Sequence, residues 1–142
     1  MALTQEWIQE ILDAHNSYRS EVGVSGLAWN EGLADEAGAY SAQLSATGSF
    51  QHSDTSEGEN LWKGGKDISF TQMVDGGWGK EKGSYHGETI DQSNFKAFGH
   101  YTQMVWSGTT QVGCGGTWGS DGKYTFVCRY NPSGNVIGQK PF

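Results

Sequence analysis

Apolar residues recur at helical spacing in three stretches of the chain, and a capping residue precedes each stretch. Thr4, Asn30 and Ser69 are the three candidate N-caps. Gly23 interrupts the first pattern, and Gly48 ends the second. The sequence therefore predicts three helices, with apolar positions Trp7, Ile8, Ile11 and Leu12 in the first, Leu33, Ala37 and Leu44 in the second, and Phe70, Met73, Val74 and Trp78 in the third.

Two later stretches, residues 111–118 and 124–130, have the pattern of strands joined by the loop Ser120-Asp121-Gly122. A three-residue hairpin loop places glycine in the left-handed third position. In the register that this loop sets, Cys114 lies opposite Cys128, at a separation that suits a disulfide. Two buried free thiols are the alternative. A disulfide favours a secreted protein.

The remaining segments are predicted with less regular structure. Residues 49–68 read as a long polar connection, residues 83–98 as irregular, and residues 101–106 as a buried strand after a short helical turn. No repeat or long linker divides the chain, so we expect one domain over residues 1–142. Helices first and a hairpin late predict an α+β fold with helices packed on an antiparallel sheet.

Charge and hydropathy exclude several classes of partner. The net charge is −7, the chain has no run of Lys or Arg, and 22 of its 142 residues are glycine. Docking on nucleic acid or anionic lipid by charge alone is not expected. No stretch approaches the ~20 apolar residues of a membrane span. The first residues lack a signal-peptide pattern, so we expect either an intracellular protein or a secreted one whose signal is missing here.

Four residues carry the candidate chemistry: His52, Glu59, Glu81 and His100. Two neutral imidazoles suit zinc or another divalent cation and leave coordination positions open. The glutamates either orient the imidazoles or act as a general base on bound water. The alternative is structural: each histidine is hydrogen-bonded at the edge of the core, Glu81 is surface charge, and Glu59 accepts backbone N–H groups in its loop. No serine-hydrolase elbow or HExxH motif occurs.

Seven motifs in order along the chain resemble one family, the CAP superfamily of cysteine-rich secretory proteins, antigen 5 and pathogenesis-related class 1 proteins. They are HNSYR (15–19), LAWN (27–30), FQHS (50–53), GENL (58–61), WGKEK (78–82), GHYTQMVW (99–106) and CRYNPSGN (128–135).

The resemblance implies a three-layer α-β-α sandwich with a central antiparallel sheet. It implies a cleft lined by His52, Glu59, Glu81 and His100, in which the two histidines bind zinc or another divalent cation. It also implies secretion, and residues 132–142 are similar to a stretch that plant members release as a signalling peptide. With two cysteines at most one disulfide forms, and this simpler set resembles bacterial or fungal members.

We expect a monomeric, secreted, non-enzymatic module that binds a small apolar ligand (sterol or fatty acid) or an extracellular protein partner. Exposed aromatic residues between positions 78 and 101 would line the apolar groove. One alternative is a zinc-dependent hydrolase in which Glu59 or Glu81 activates water. Another is a secreted effector or the precursor of a C-terminal signalling peptide.

Overall fold

The computed structural model describes residues 3–142 of the chain. Its regular elements, in chain order, are α1 (Gln5–Glu21), β1 (Ala28–Trp29), α2 (Glu31–Thr47), β2 (Gly58–Gly64), α3 (Phe70–Met73), a π-helical turn (Val74–Trp78), a 3-10 helix (Gly79–Ser84), α4 (Phe95–Met104), β3 (Gln111–Trp118) and β4 (Tyr124–Asn131). Among these residues no helix is both long and apolar enough to cross a membrane.

The three predicted helix starts are confirmed by their caps. Thr4 accepts the N–H of Trp7, Asn30 accepts the N–H of Leu33, and Ser69 forms a reciprocal capping box with Gln72. At the end of α2, Gly48 has a φ of 74°, which a side chain would disfavour. Regular α-helix after Ser69 lasts only four residues, and the chain continues as the π-helical turn and the 3-10 helix.

The predicted hairpin register is confirmed. β3 and β4 are antiparallel, with Cys114 opposite Cys128 and Val112 opposite Tyr130. The two cysteines are joined by a disulfide bond with an S–S distance of 2.08 Å. Gly122 occupies the left-handed position of the loop, with a φ of 79°.

The sheet has four strands in the order β1-β3-β4-β2. β2 and β4 are antiparallel along seven residues, whereas the two residues of β1 run parallel to β3. Strand β2 lies inside the segment predicted as a polar connection, so that prediction is wrong for residues 58–64. Its first three residues include the polar Glu59 and Asn60, so the strand lacks the regular alternation of apolar and polar residues by which strands are predicted.

The buried strand predicted at residues 101–106 is also wrong, because residues 95–104 form helix α4. Tyr101, Thr102, Gln103 and Met104 are all buried. A helix that is buried around much of its circumference gives a continuous run of buried positions, which periodicity cannot distinguish from a buried strand.

Helices cover both faces of the sheet, as the three-layer sandwich requires. Side chains of β4 alternate between the layers, so that Phe126 packs with α1, α3 and α4 residues and Val127 packs with α2. Glycines in β3 let α2 approach closely: a Cβ on Gly115 would lie 2.5 Å from the Cα of Gly38. The expected α-β-α architecture is confirmed, and the cleft lies at the end of the sheet where β2 begins.

Candidate ligand-binding cleft

A cleft of about 580 Å³ is lined by His52, Glu59 and His100, whereas Glu81, the fourth candidate, is not among its lining residues. Four parts of the chain build it: the loop before β2, the start of β2, the exposed side of α4, and a C-terminal segment. Its lining residues are His52, Ser53, Thr55, Glu57, Gly58, Glu59, Asn60, Phe95, Lys96, Gly99, His100, Gln103, Ser133, Gly134, Asn135 and Ile137.

On one wall, Glu59 of β2 holds His52. The Glu59 carboxylate accepts the Nδ1–H of His52 at 2.9 Å. It also accepts the backbone N–H and the hydroxyl of Ser53, at 2.9 and 2.6 Å. Burial alone would raise the pKa of Glu59, but the bonds from His52 and Ser53 outweigh burial and lower it. Glu59 is therefore an ionised acceptor inside the wall, and the His52 ring projects outward from it, mostly exposed.

On the other wall, Glu81 of the 3-10 helix holds His100 of α4. Glu81 Oε2 accepts the Nδ1–H of His100 at 2.7 Å. Its second oxygen, Oε1, accepts the backbone N–H groups of His100 and Tyr101. The indole of Trp78 stacks on the imidazole at 14°, with a centroid distance of 6.4 Å. Glu81 is thus half-buried and engaged with α4, not free surface charge.

Both imidazoles have Nδ1 engaged by a carboxylate, which leaves Nε2 as the ring nitrogen for a ligand. A carboxylate on the far side of the ring is the usual support for a metal-binding histidine. The donor set therefore fits an open site of two imidazoles. Within residues 3–142 no three His, Cys, Asp or Glu side chains are grouped to hold a metal ion. Water or a bound ligand would have to complete the coordination of any ion held there.

A buried hydrogen-bond chain supports His100 from behind. The Asn60 amide donates to the His100 carbonyl at 3.1 Å and to the Tyr130 hydroxyl at 3.2 Å. The Tyr130 hydroxyl lies 2.7 Å from His15 Nε2, and His15 Nδ1 lies 2.9 Å from the Ile11 carbonyl. Because a carbonyl only accepts, His15 carries its proton on Nδ1 and accepts from Tyr130 at Nε2. Burial lowers the pKa of His15 to about 4, so it is neutral and structural.

Arg129, for which the sequence alone indicates no role, contacts the outer side of Glu59. Its guanidinium lies 3.3 Å from Glu59, 3.4 Å from Glu36 and 3.9 Å from Glu57, and it stacks over the Tyr40 ring. Burial raises the pKa of Glu57, and the neighbouring Glu36 carboxyl raises it further. Arg129 is paired with Glu59 across β4 and β2. Only knowledge of strand β2 would have revealed this contact from the sequence.

The large apolar side chains in the cleft lining are Phe95 and Ile137, which are 38% and 53% exposed. Most aromatic residues between positions 78 and 101 do not line the cleft. Trp78, Phe98 and Tyr101 are buried, because helix α4 and the turns before it direct them into the core. Phe95 is the one aromatic residue of that range in the cleft lining.

Comparison with known proteins gives a family match over most of the chain. The sequence model described as "CAP: Cysteine-rich secretory protein family" matches residues 12–130. Pathogenesis-related protein 1B of Nicotiana tabacum is 40% identical over 134 residues, which cover 94% of this chain and 80% of that protein. Pathogenesis-related protein 1 of Arabidopsis thaliana is 38% identical over 138 residues, which cover 97% and 84%.

Two solved structures share the fold. NaASP2, solved with Zn2+, has a TM-score of 0.82 at 23% identity and covers 99% of this chain and 86% of its own. Hookworm platelet inhibitor has a TM-score of 0.79 at 18% identity, with 100% and 78% covered. The expected similarity to bacterial or fungal members is not borne out, since the similar sequences are plant pathogenesis-related proteins. The number of cysteines, on which that expectation rested, is not a guide to the source.

Proposed function

The chain belongs to the CAP family of cysteine-rich secretory proteins, and we propose that it is a secreted, non-enzymatic, single-domain binding module with a divalent cation in its cleft. One observation carries this proposal. His52 and His100 line the same cleft, and a glutamate binds the Nδ1 of each ring. That arrangement leaves the Nε2 atom of each ring available as a ligand.

Zinc is the cation that we favour, because neutral imidazole is a preferred zinc ligand. The similar fold of NaASP2, solved with Zn2+, supports this choice. A bound ion would supply a Lewis-acidic position for an oxygen or nitrogen atom of a ligand. Glu59 and Glu81 would fix the orientation of the two rings, and water or the ligand would complete the coordination.

The cleft ligand is a small molecule with an apolar part, of the sterol or fatty-acid class, or the apolar side chain of an extracellular protein partner. Phe95 and Ile137 supply the apolar contact from separate walls of the cleft. Gly99 and Gly134 line the same cleft and carry no side chain into it.

Two observations support a location outside the cell. The Cys114–Cys128 disulfide is the kind of bond that persists in oxidising compartments. The relatives that match along most of the chain are pathogenesis-related proteins of the same family, whose members are generally secreted.

A zinc-dependent hydrolase is less well supported by the geometry. A general base needs a free carboxylate oxygen within reach of a bound water. Both oxygens of Glu59 accept bonds from His52 or Ser53, and both oxygens of Glu81 accept bonds from α4. The two glutamates hold the walls of the cleft and are not poised for proton transfer.

Native mass spectrometry after incubation with a mixed lipid and sterol extract tests the apolar part of the proposal. Phe95→Ser and Ile137→Ser should each lose the retained lipid. Ile68→Ser is the matched control, since Ile68 is 39% exposed but lies outside the cleft. Equal retention by all four proteins would contradict the siting, and no retention by the wild type would contradict the apolar ligand.

A further inference from the structure

One wall of the cleft is formed by a segment that belongs to no helix or strand. Residues 132–142, here called the C-terminal strap, follow β4 and cross the surface beside α4. Four strap residues line the cleft: Ser133, Gly134, Asn135 and Ile137. Most of the strap is exposed, and only Gly134 and Pro141 are buried. The strap is therefore a surface segment fastened at separate points, not part of the packed core.

The front of the strap is fastened to α4, the helix that carries His100. The Gly134 N–H donates to Gln103 Oε1 at 2.9 Å. The Asn135 amide donates to the Gly99 carbonyl at 2.8 Å and accepts from the Thr102 hydroxyl. These contacts leave no room for a side chain at position 134, where a Cβ would lie 2.8 Å from Gln103 Nε2. The front of the strap thus fits one turn of α4, and His100 lies in that turn.

The back of the strap is fastened elsewhere, on the loop before α4 and the turn after it. Ile90 exchanges two backbone hydrogen bonds with Gly138 and Gln139, each 2.8 Å long. The Ser107 N–H donates to the Pro141 carbonyl, also at 2.8 Å. Between front and back, Val136 and Ile137 are exposed and make no backbone hydrogen bond to the loop or α4 that would fix Ile137 against the cleft. Docking of Ile137 depends on the bonds at either side of it.

From this arrangement we propose that the C-terminal strap is a detachable wall of the cleft, whose docking orders the His100 side of the site. Asn135 positions the strap against α4, because its side chain is hydrogen-bonded to Gly99 and Thr102 on the two sides of His100. The identity of the cleft ligand rests on the proposed function, but the docking of the strap does not.

A consequence is that cleft occupancy and strap docking stabilise one another. A ligand that touches Phe95 or His100 on α4 and Ile137 on the strap binds the docked state better than the detached state. Any such difference in affinity shifts the docking equilibrium, and by thermodynamic reciprocity docking raises the affinity for the ligand. Local unfolding of an exposed segment that is held by a few hydrogen bonds costs little free energy. The equilibrium between the docked and the detached strap is therefore accessible to experiment.

Hydrogen exchange followed by mass spectrometry tests, without any ligand, whether docking of the strap orders the His100 side of the cleft. Asn135→Gly removes the side-chain bonds while permitting the φ of 53° that Asn135 adopts. We expect exchange in peptides covering residues 132–139 and 97–104 to quicken by roughly tenfold, as loss of two hydrogen bonds predicts. Lys140→Ala, an exposed change in the same strap, should leave both peptides unchanged. Unchanged exchange of residues 97–104 in Asn135→Gly would overturn the proposal.

Zinc chloride as the probe then tests the coupling. Zinc should slow exchange of the strap in the wild type but not in His52→Ala/His100→Ala, and Asn135→Gly should bind zinc several-fold more weakly than Lys140→Ala. Zinc binding to the wild type with no change in the strap would overturn the coupling and leave the proposed metal site standing. If the wild type binds no zinc, the proposed metal site fails, and the ligand-free exchange of residues 97–104 alone decides whether the strap is a wall of the cleft.

Discussion

Glu81 binds His100 at two points, accepting the ring Nδ1–H at 2.7 Å and the backbone N–H at 2.9 Å with its two oxygens. This pair of contacts fixes the ring relative to the helix that carries it. Since the carboxylate accepts a hydrogen bond from Nδ1–H, the Nε2 lone pair is available to a ligand. Glu59 acts on His52 in the same way, with Ser53 as the source of its second and third bonds.

Glu81→Gln should weaken zinc binding by roughly 10- to 100-fold, the range found when the outer partner of a metal-bound histidine is changed. A neutral amide still accepts backbone N–H groups but makes the imidazole less basic. Isothermal titration calorimetry with zinc chloride measures the effect. Glu6→Gln, an exposed change in the first turn of α1, is the control. Equal affinity in Glu81→Gln and the control would show that Glu81 does not support a metal ligand.

The stability of the protein should fall between about pH 6.5 and pH 4 because His15 is buried in its neutral form. Its pKa is about 4 in the folded state and 6.5 when exposed, so the unfolded chain binds the additional proton in this range. Protonation of the unfolded state therefore lowers the free energy of unfolding as pH falls. Once the pH is below both pKa values, the free energy of unfolding has fallen by about 3 kcal/mol, at 1.36 kcal/mol per pKa unit.

Urea unfolding of the wild type and His15→Gln across this pH range measures the contribution of His15. The variant is expected to be less stable at pH 7, because it loses the fitted bonds to Ile11 and Tyr130. Its stability should change less between pH 7 and pH 4 than that of the wild type. The lowered pKa of Glu59 also makes the protein less stable as pH falls. The contribution of His15 is therefore the difference between the wild type and His15→Gln in the slope of stability against pH. Parallel slopes would contradict a buried, neutral His15.

Cys114→Ser/Cys128→Ser should lower the free energy of unfolding by about 3 kcal/mol, because the bridge closes a loop of about 15 residues in the unfolded chain. The two positions are 14 residues apart and directly opposed in the hairpin. Chemical denaturation of the oxidised wild type, the reduced wild type and the variant provides the measurement. Both forms without the bridge should agree. A variant as stable as the oxidised protein would mean that the strand pairing alone restrains this hairpin.

Arg19→Lys should destabilise the fold by about 3 kcal/mol although it keeps the positive charge. The buried guanidinium donates to four carbonyls, those of Ser25, Met104, Trp106 and Thr109. An ammonium group cannot reach all four from one position, and burial of unsatisfied carbonyls is costly. Burial lowers the pKa of Arg19 to about 10, which leaves it charged at neutral pH. Thermal or urea unfolding that matches the wild type would refute this role.

Much of the fold is visible in the sequence because local signals determine it. Helix starts follow from Thr4, Asn30 and Ser69, whose side chains cap the chain within three residues. The disulfide register follows from the short loop at Gly122. Strand β2 and helix α4 are not predicted from the sequence, because neither has a distinctive local pattern. The start of β2 is polar where it borders the cleft, and α4 is buried on several sides.

The candidate site is likewise only partly predictable from the sequence. His52, Glu59, Glu81 and His100 are identified from residue type and from the resemblance to the family. The contacts of Arg129 and Asn60 depend on strand pairing and on the approach of α4, which spacing does not reveal. The role of the C-terminal strap in lining the cleft depends on hydrogen bonds to residues about 30 positions earlier in the chain.

The central claim, a metal site shared by His52 and His100, is tested most directly by calorimetric titration of the purified protein with zinc chloride. Wild type and His52→Ala/His100→Ala are compared, with His86→Ala as the control because His86 is exposed and lies outside the cleft. The account predicts one zinc per chain in the wild type and in His86→Ala, and loss of that binding in the double variant. Absence of binding to the wild type, or equal binding to the double variant, would contradict it.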